Sequence, residues 1–128
     1  MSEGKNKFPE HVVEFFINPK NIGRMTDPDG AAMVKGQCGD TMEMYLEIKD
    51  ENISRALFHT DGCGITAICG SVVTSLAEGR SIEDALRISP ADVIDRVKDV
   101  LGTGFHCAIL AVSTLHKALA DYLIKRGK

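Results

Sequence analysis

The chain has 128 residues, 44% of them hydrophobic and 26% charged, with a net charge of -3 and four cysteines. That length suits one domain over residues 1–128, large enough to bury a core without a disulfide or metal staple, so a metal held by such a chain is expected to be functional cargo. The slight acidity and the lack of a basic stripe interleaved with aromatics exclude nucleic acid and acidic membranes as expected partners. No uninterrupted apolar run reaches the length of a membrane span and no secretory leader pattern opens the sequence, which together predict a cytoplasmic protein with reduced thiols.

Residues 1–7 are polar and expected to be frayed. Val12, Val13, Phe15 and Phe16 after Pro9 predict a short amphipathic helix that Pro19 stops, and the Pro, Gly, Asn and Asp residues between Asn18 and Gly30 predict an irregular connection. Three strands follow. The first is expected over residues 31–37. In the second, over 41–48, Met42, Met44, Leu46 and Ile48 alternate with Glu43, Tyr45 and Glu47, the mark of a half-buried strand. The third spans 53–60, with Ala56 and Phe58 on one face and Arg55, Leu57 and His59 on the other. Short turns between them predict an antiparallel meander.

After residue 64 the period becomes helical. Ile65, Ile68, Val72, Val73 and Leu76 mark a first helix stopped by Gly79, and Ser81 with Asp84 is a capping signal for a short helix through Ile88. Ser89-Pro90 with Asp92 opens another toward Leu101, and Gly102-Thr103-Gly104 breaks it. Ala108, Val112, Leu115, Leu119 and Tyr122 then mark a long last helix from Phe105 to about Lys125, whose terminal cations suit its dipole. Strands first and helices afterwards predict an α+β fold, a three-stranded antiparallel sheet with helices on one face.

Cys38, Cys63 and Cys107 all stand at junctions between elements, flanked by or close to glycine. Cys63 and Cys107 are expected at helix N-termini, where the dipole and unpaired backbone N–H groups favour the thiolate that ligates metals or attacks sulfur. Asp40 and His106 add an oxygen and a nitrogen donor. This sulfur-rich set suits zinc or an iron–sulfur cluster better than magnesium or calcium. Gaps of 25 and 44 residues match no C-x-x-C pair, so spacing leaves two readings open: one shared site, or separate core and surface thiols. A shared site requires the three junctions to meet at one end of the molecule. Elsewhere, Cys69 is expected in the core, His59 as a structural histidine, Asp61 as a helix cap, and His11 and His116 on helix surfaces.

Taken in order, Asn18-Pro19-Lys20-Asn21-Ile22-Gly23, Cys38-Gly39-Asp40, Gly62-Cys63-Gly64, the segment Gly79 to Leu86, His106-Cys107 and Ala118-Leu119-Ala120-Asp121-Tyr122 resemble the IscU/NifU family of iron–sulfur cluster assembly scaffolds. The resemblance implies a scaffold and carrier rather than an enzyme. On it a [2Fe-2S] cluster is built from iron and from persulfide sulfur supplied by a cysteine desulfurase, then passed to apo iron–sulfur acceptor proteins. It implies Cys38, Cys63 and Cys107 as cluster thiolates, with Asp40 or His106 in the fourth place and Zn2+ able to occupy the same site when iron is absent. An oxygen or nitrogen ligand is more readily displaced than a fourth thiolate, which suits a donor. Two departures restrict the inheritance. Leu101-Gly102-Thr103-Gly104-Phe105 stands where much of the family has Leu-Pro-Pro-Val-Lys, the docking segment for a dedicated Hsp70-type chaperone, so that partner is not carried over. Phe15-Phe16 replaces a His-Tyr pair in the N-terminal region. The rival chemistries are a zinc hydrolase, which lacks the deaminase signature, and a zinc-stabilised persulfide relay.

Overall fold

A computed structural model describes residues 20–37, 39–62, 64–101 and 105–127. Strands β1 (Gly30–Lys35), β2 (Thr41–Lys49) and β3 (Asn52–Thr60) form the expected antiparallel meander in the order β1-β2-β3. Helices α1 (Gly64–Ala77), α2 (Ile82–Leu86), α3 (Pro90–Leu101) and α4 (Phe105–Arg126) follow. The expected N-terminal helix and the Gly102-Thr103-Gly104 break lie outside the described residues.

The alternation in β2 does what its period requires. Met42, Met44 and Leu46 are wholly buried beneath the helices, whereas Glu43, Tyr45 and Glu47 point to the other face. β1 ends at Lys35 rather than residue 37, because Gly36 donates its N–H to the Asp40 carbonyl at 2.7 Å and so closes the turn that returns the chain into β2. β3 departs from strict alternation. Glu47 pairs with Arg55 but Ile48 pairs with Ile53, leaving Ser54 as an extra residue whose hydroxyl donates to the Glu47 carboxylate at 2.7 Å. This bulge rotates Ile53 onto the core face beside Ala56 and Phe58, all three fully buried.

The outer edge of β3 is covered almost along its length. Gly79 N–H donates to the Ile53 carbonyl, Ile53 N–H to Arg80, Ala56 N–H to the Glu78 carboxylate and Phe58 N–H to Asn21. Edge groups that could template aggregation are thereby satisfied within the chain. The segment beginning at Lys20 is tied down from the helix side too: Ser71 accepts from Lys20 N–H at 2.9 Å and Thr74 from the Asn21 side chain at 3.2 Å.

α1 is buried nearly all round, including Thr66, Cys69, Ser71 and Thr74 as well as Ile68, Val72 and Val73, while Ile65 and Leu76 are only partly covered. Gly70 allows this closeness, since a Cβ there would lie 2.6 Å from the Phe58 ring. The capping signals hold: Ser81 Oγ accepts from Asp84 N–H at 3.1 Å, and Asp92 accepts from Ser89 N–H at 2.9 Å. α2 stops at Leu86, two residues before the expected Ile88, which is buried in the core instead. His116 is no plain surface residue; its Nε2 lies 2.9 Å from the Ile88 carbonyl and ties α4 to the chain leaving α2.

By length and mean hydropathy α4 could cross a membrane, although its apolar residues are interrupted. Half of that stretch is buried, with Ala108, Ala111, Val112, Leu115 and Leu119 in the core, so its hydropathy is that of a core helix.

On the open face of the sheet, Arg24 clasps the Glu43 carboxylate with two bonds of 2.9 and 3.1 Å, and the Tyr45 hydroxyl donates to the same group. The Arg24 bonds, followed by that of Tyr45, hold the Glu43 carboxyl down at about 2, against an ordinary 4.5. Arg24 is 59% exposed, which limits the clasp to about 1 kcal/mol.

Two predictions follow from this packing. Gly70→Ala should lower the urea midpoint, equivalent to about 1–3 kcal/mol, because overpacking against the Phe58 ring exceeds alanine's helix-propensity gain of about 1 kcal/mol. A depressed carboxylate stabilises the fold above its unfolded value and loses that contribution as pH falls through its folded one. Thermal scans should therefore show the wild type losing more stability than Glu43→Gln between pH 4.5 and about 2.

Candidate functional site

The meander decides where the junctions fall. β1 ends, β2 begins and β3 ends on one side of the sheet, with Lys35 opposite Thr41 and Met42 opposite Thr60. α1 begins on that side because it follows β3 directly. α4 is laid antiparallel along β1 by two close approaches: a Cβ on Gly30 would meet the Ala118 carbonyl at 2.5 Å, and one on Gly36 would meet Leu110 at 3.2 Å. At the far end Asp121 fixes the alignment by accepting from Ala31 N–H at 3.0 Å. The first turn of α4, carrying His106 and Cys107, therefore arrives at the β1–β2 turn.

Asp40 leaves its own turn and reaches across to α1. Its Oδ2 accepts from the Thr66 hydroxyl at 3.0 Å, and the same hydroxyl oxygen lies 3.5 Å from Cys107 Sγ. Thr66 is fully buried and Cys107 is 4% exposed. Gly62 completes the packing, since a Cβ there would fall 2.8 Å from both Asp40 Oδ2 and Thr66 Oγ1. One buried hydroxyl thus joins the β1–β2 turn, the first turn of α1 and the first turn of α4.

His106 lies beside Cys107 but lines a separate hollow of about 200 Å³, together with Lys35, Gln37, Ile109 and Leu110. Cys38 and Cys63 lie outside the described residues. Among the described residues, no three His, Cys, Asp or Glu side chains gather closely enough to hold a metal ion. The structure does bring together Asp40, Cys107 and the position of Gly62, the residue preceding Cys63. It places Cys69 in the core, as expected.

Asp61 and His59 are both engaged by side-chain contacts to neighbouring groups. Asp61 Oδ1 accepts from Thr41 N–H at 2.8 Å, which pins the start of β2 and holds the Asp61 carboxyl below its usual range, while the expected cap of α1 turns on Cys63, outside the described residues. His59 stands on the open sheet face, with Nδ1 3.2 Å from Arg24 and 3.9 Å from Glu43. It is a structural histidine on the sheet face opposite the buried Met42 and Met44. Sequence reasoning missed Thr66. The available signal was a hydroxyl residue set between isoleucines 65 and 68, three positions after Cys63, in a helix otherwise read as apolar.

The NifU-like N terminal domain family model matches residues 7–128. Iron-sulfur cluster assembly scaffold protein IscU 1 of Archaeoglobus fulgidus is 35% identical over 122 residues, covering 94% of this chain and 80% of that protein. IscU of Escherichia coli K12, also an iron-sulfur cluster assembly scaffold protein, is 34% identical over 124 residues, covering 93% and 96%. Among solved structures, the N-terminal NifU-like protein of Brucella abortus superposes with a TM-score of 0.75 at 18% identity, covering 91% of this chain and 94% of that one. A SUF-system scaffold protein described as putative, from Fervidobacterium islandicum, gives 0.71 at 18% identity, covering 88% and 96%. With three junctions meeting around Asp40, Thr66 and Cys107 on this fold, and a family match across nearly all of its length, the chain belongs to the NifU-like N-terminal domain family that includes the IscU scaffolds.

Proposed function

We propose that this protein, acting as one domain over residues 1–128, is an iron–sulfur cluster assembly scaffold that builds a [2Fe-2S] cluster and hands it on. The observation that carries the reading is the hydroxyl-bridged Asp40–Thr66–Cys107 contact at the meeting of three junctions. Cys38, Cys63 and Cys107 are the proposed thiolates, with Asp40 or His106 supplying the fourth ligand. The donor set fits that cargo. Cys107 lies in the first turn of α4, where the helix dipole favours a thiolate, and a carboxylate and an imidazole are close by in sequence or space. Three sulfurs with one harder, exchangeable donor suit iron in a cluster or Zn2+ in its absence.

The proposed partners are a cysteine desulfurase, which supplies persulfide sulfur, and apo iron–sulfur proteins, which receive the cluster. The proposed compartment is the cytoplasm. The Leu101 to Phe105 segment contains neither proline nor lysine, so no docking of an Hsp70-type chaperone is proposed there. A zinc hydrolase of the deaminase type is disfavoured because the chain lacks the H-x-E and P-C-x-x-C signature.

Anaerobic reconstitution with Fe2+, cysteine, a desulfurase and dithiothreitol, the thiol that reduces persulfide sulfur to sulfide, should give the visible absorption of a [2Fe-2S] cluster with equal iron and sulfide. Failure of the folded wild type to retain any cluster would overturn the proposal. Cys107→Ser should abolish or severely reduce cluster retention in the same assay, while its circular dichroism stays native. Asp40→Ala should still assemble a cluster but transfer it to an apo-ferredoxin about tenfold more slowly, because the exchangeable oxygen through which an incoming ligand enters is gone. Transfer at the wild-type rate would remove Asp40 from the exchange step.

A further inference from the structure

We infer that Thr66 is a positioning residue that sets how Asp40 engages the cargo. The inference rests on the scaffold reading and extends it to a residue that the cysteine motifs do not include. Thr66 is fully buried in the first turn of α1, between the Asp40 carboxylate and the Cys107 sulfur. A threonine hydroxyl carries one proton and two acceptor sites. The bond to Asp40 Oδ2 is 3.0 Å and has an ionisable carboxylate as acceptor, whereas the sulfur is 3.5 Å away, so the proton belongs to Asp40.

Geometry reinforces that assignment. Gly62 has no Cβ, and one built there would fall 2.8 Å from both Asp40 Oδ2 and Thr66 Oγ1, so the backbone before Cys63 closes over this hydrogen bond from a third side. The carboxylate is held by one oxygen from α1, and the constraint falls on Oδ2. Partners of this kind orient the groups that touch a metal, and their removal commonly changes affinity or activity by 10–100-fold. Thr66 is therefore the element that makes Asp40 a defined exchangeable ligand rather than a mobile turn carboxylate. Without the hydroxyl, the Asp40 route for ligand exchange should be disabled while the thiolates remain.

The test uses Thr66→Val, which replaces the hydroxyl with a methyl of similar size, and Thr66→Ser, which restores it. Co2+ is the spectroscopic probe and cluster transfer to an apo-ferredoxin the kinetic one. The valine variant should keep the thiolate-to-cobalt charge-transfer bands, shift the cobalt d–d envelope in the same direction as Asp40→Ala, and slow transfer about tenfold, as Asp40→Ala does. The serine variant should behave as wild type. In the Asp40→Ala background, Thr66→Val should add nothing further, as expected when two residues act through one contact. Thr66→Ala carries the same comparison if the valine variant does not fold. Wild-type spectra and rates in both hydroxyl-free variants would overturn the inference, as would effects that add in the double variant. A wild type that gives no thiolate-to-cobalt bands and retains no cluster would overturn the scaffold reading as well.

Discussion

The structure depends on how closely two helices can approach one face of a three-stranded sheet. Where α1 crosses β3, the Phe58 ring fills the space that a side chain at residue 70 would take. Where α4 runs along β1, the Ala118 carbonyl and Tyr122 press on Gly30, and Leu110 presses on Gly36. These contacts exclude water from a core of Met42, Met44, Leu46, Phe58, Leu115 and Leu119, and they also set the direction of each helix. Apolar burial supplies the stability in bulk, whereas glycines at the crossings determine the geometry.

Function follows from that direction. An antiparallel meander returns the chain to the same side after β1 and after β3, and α4 lies antiparallel to β1, so the loops and helix starts on that side are collected without a dedicated linker. The proposed site groups come from one turn and from the first turns of two helices, which the sheet holds in place. The Thr66 hydroxyl is the point at which the three contributions touch. A buried hydroxyl is costly unless satisfied, and here it is satisfied by the carboxylate and faces the sulfur of two different junctions.

The opposite end and the open face serve stability. Asp121 bonds Ala31, and residues 79–81 pair with the edge of β3. Thus two of the segments that carry the family resemblance, the one from Gly79 and the one from Ala118, are explained by packing and edge protection. The Arg24–Glu43–Tyr45 clasp likewise holds the chain before β1 against the sheet's open face.

Much of this was legible before any coordinates. The period of two in residues 42–48, the shift to a period near 3.6 after residue 64, and the capping signals at Ser81 and Ser89 are local properties of the chain, so local physics determined strand, helix and boundary there. The junction positions of Cys38, Cys63 and Cys107 were equally plain, as was their agreement with a scaffold family. Other features were decided only by tertiary structure. The Ser54 bulge that turns Ile53 inward depends on the partner strand. The bond from Thr41 N–H to the Asp61 carboxylate likewise depends on β2 lying beside the end of β3. The partners of Thr66 were decided only when the β1–β2 turn, α1 and α4 came together: a hydroxyl between two isoleucines is visible in the sequence, but a hydrogen bond across 26 residues and a sulfur contact across 41 leave no periodic trace there.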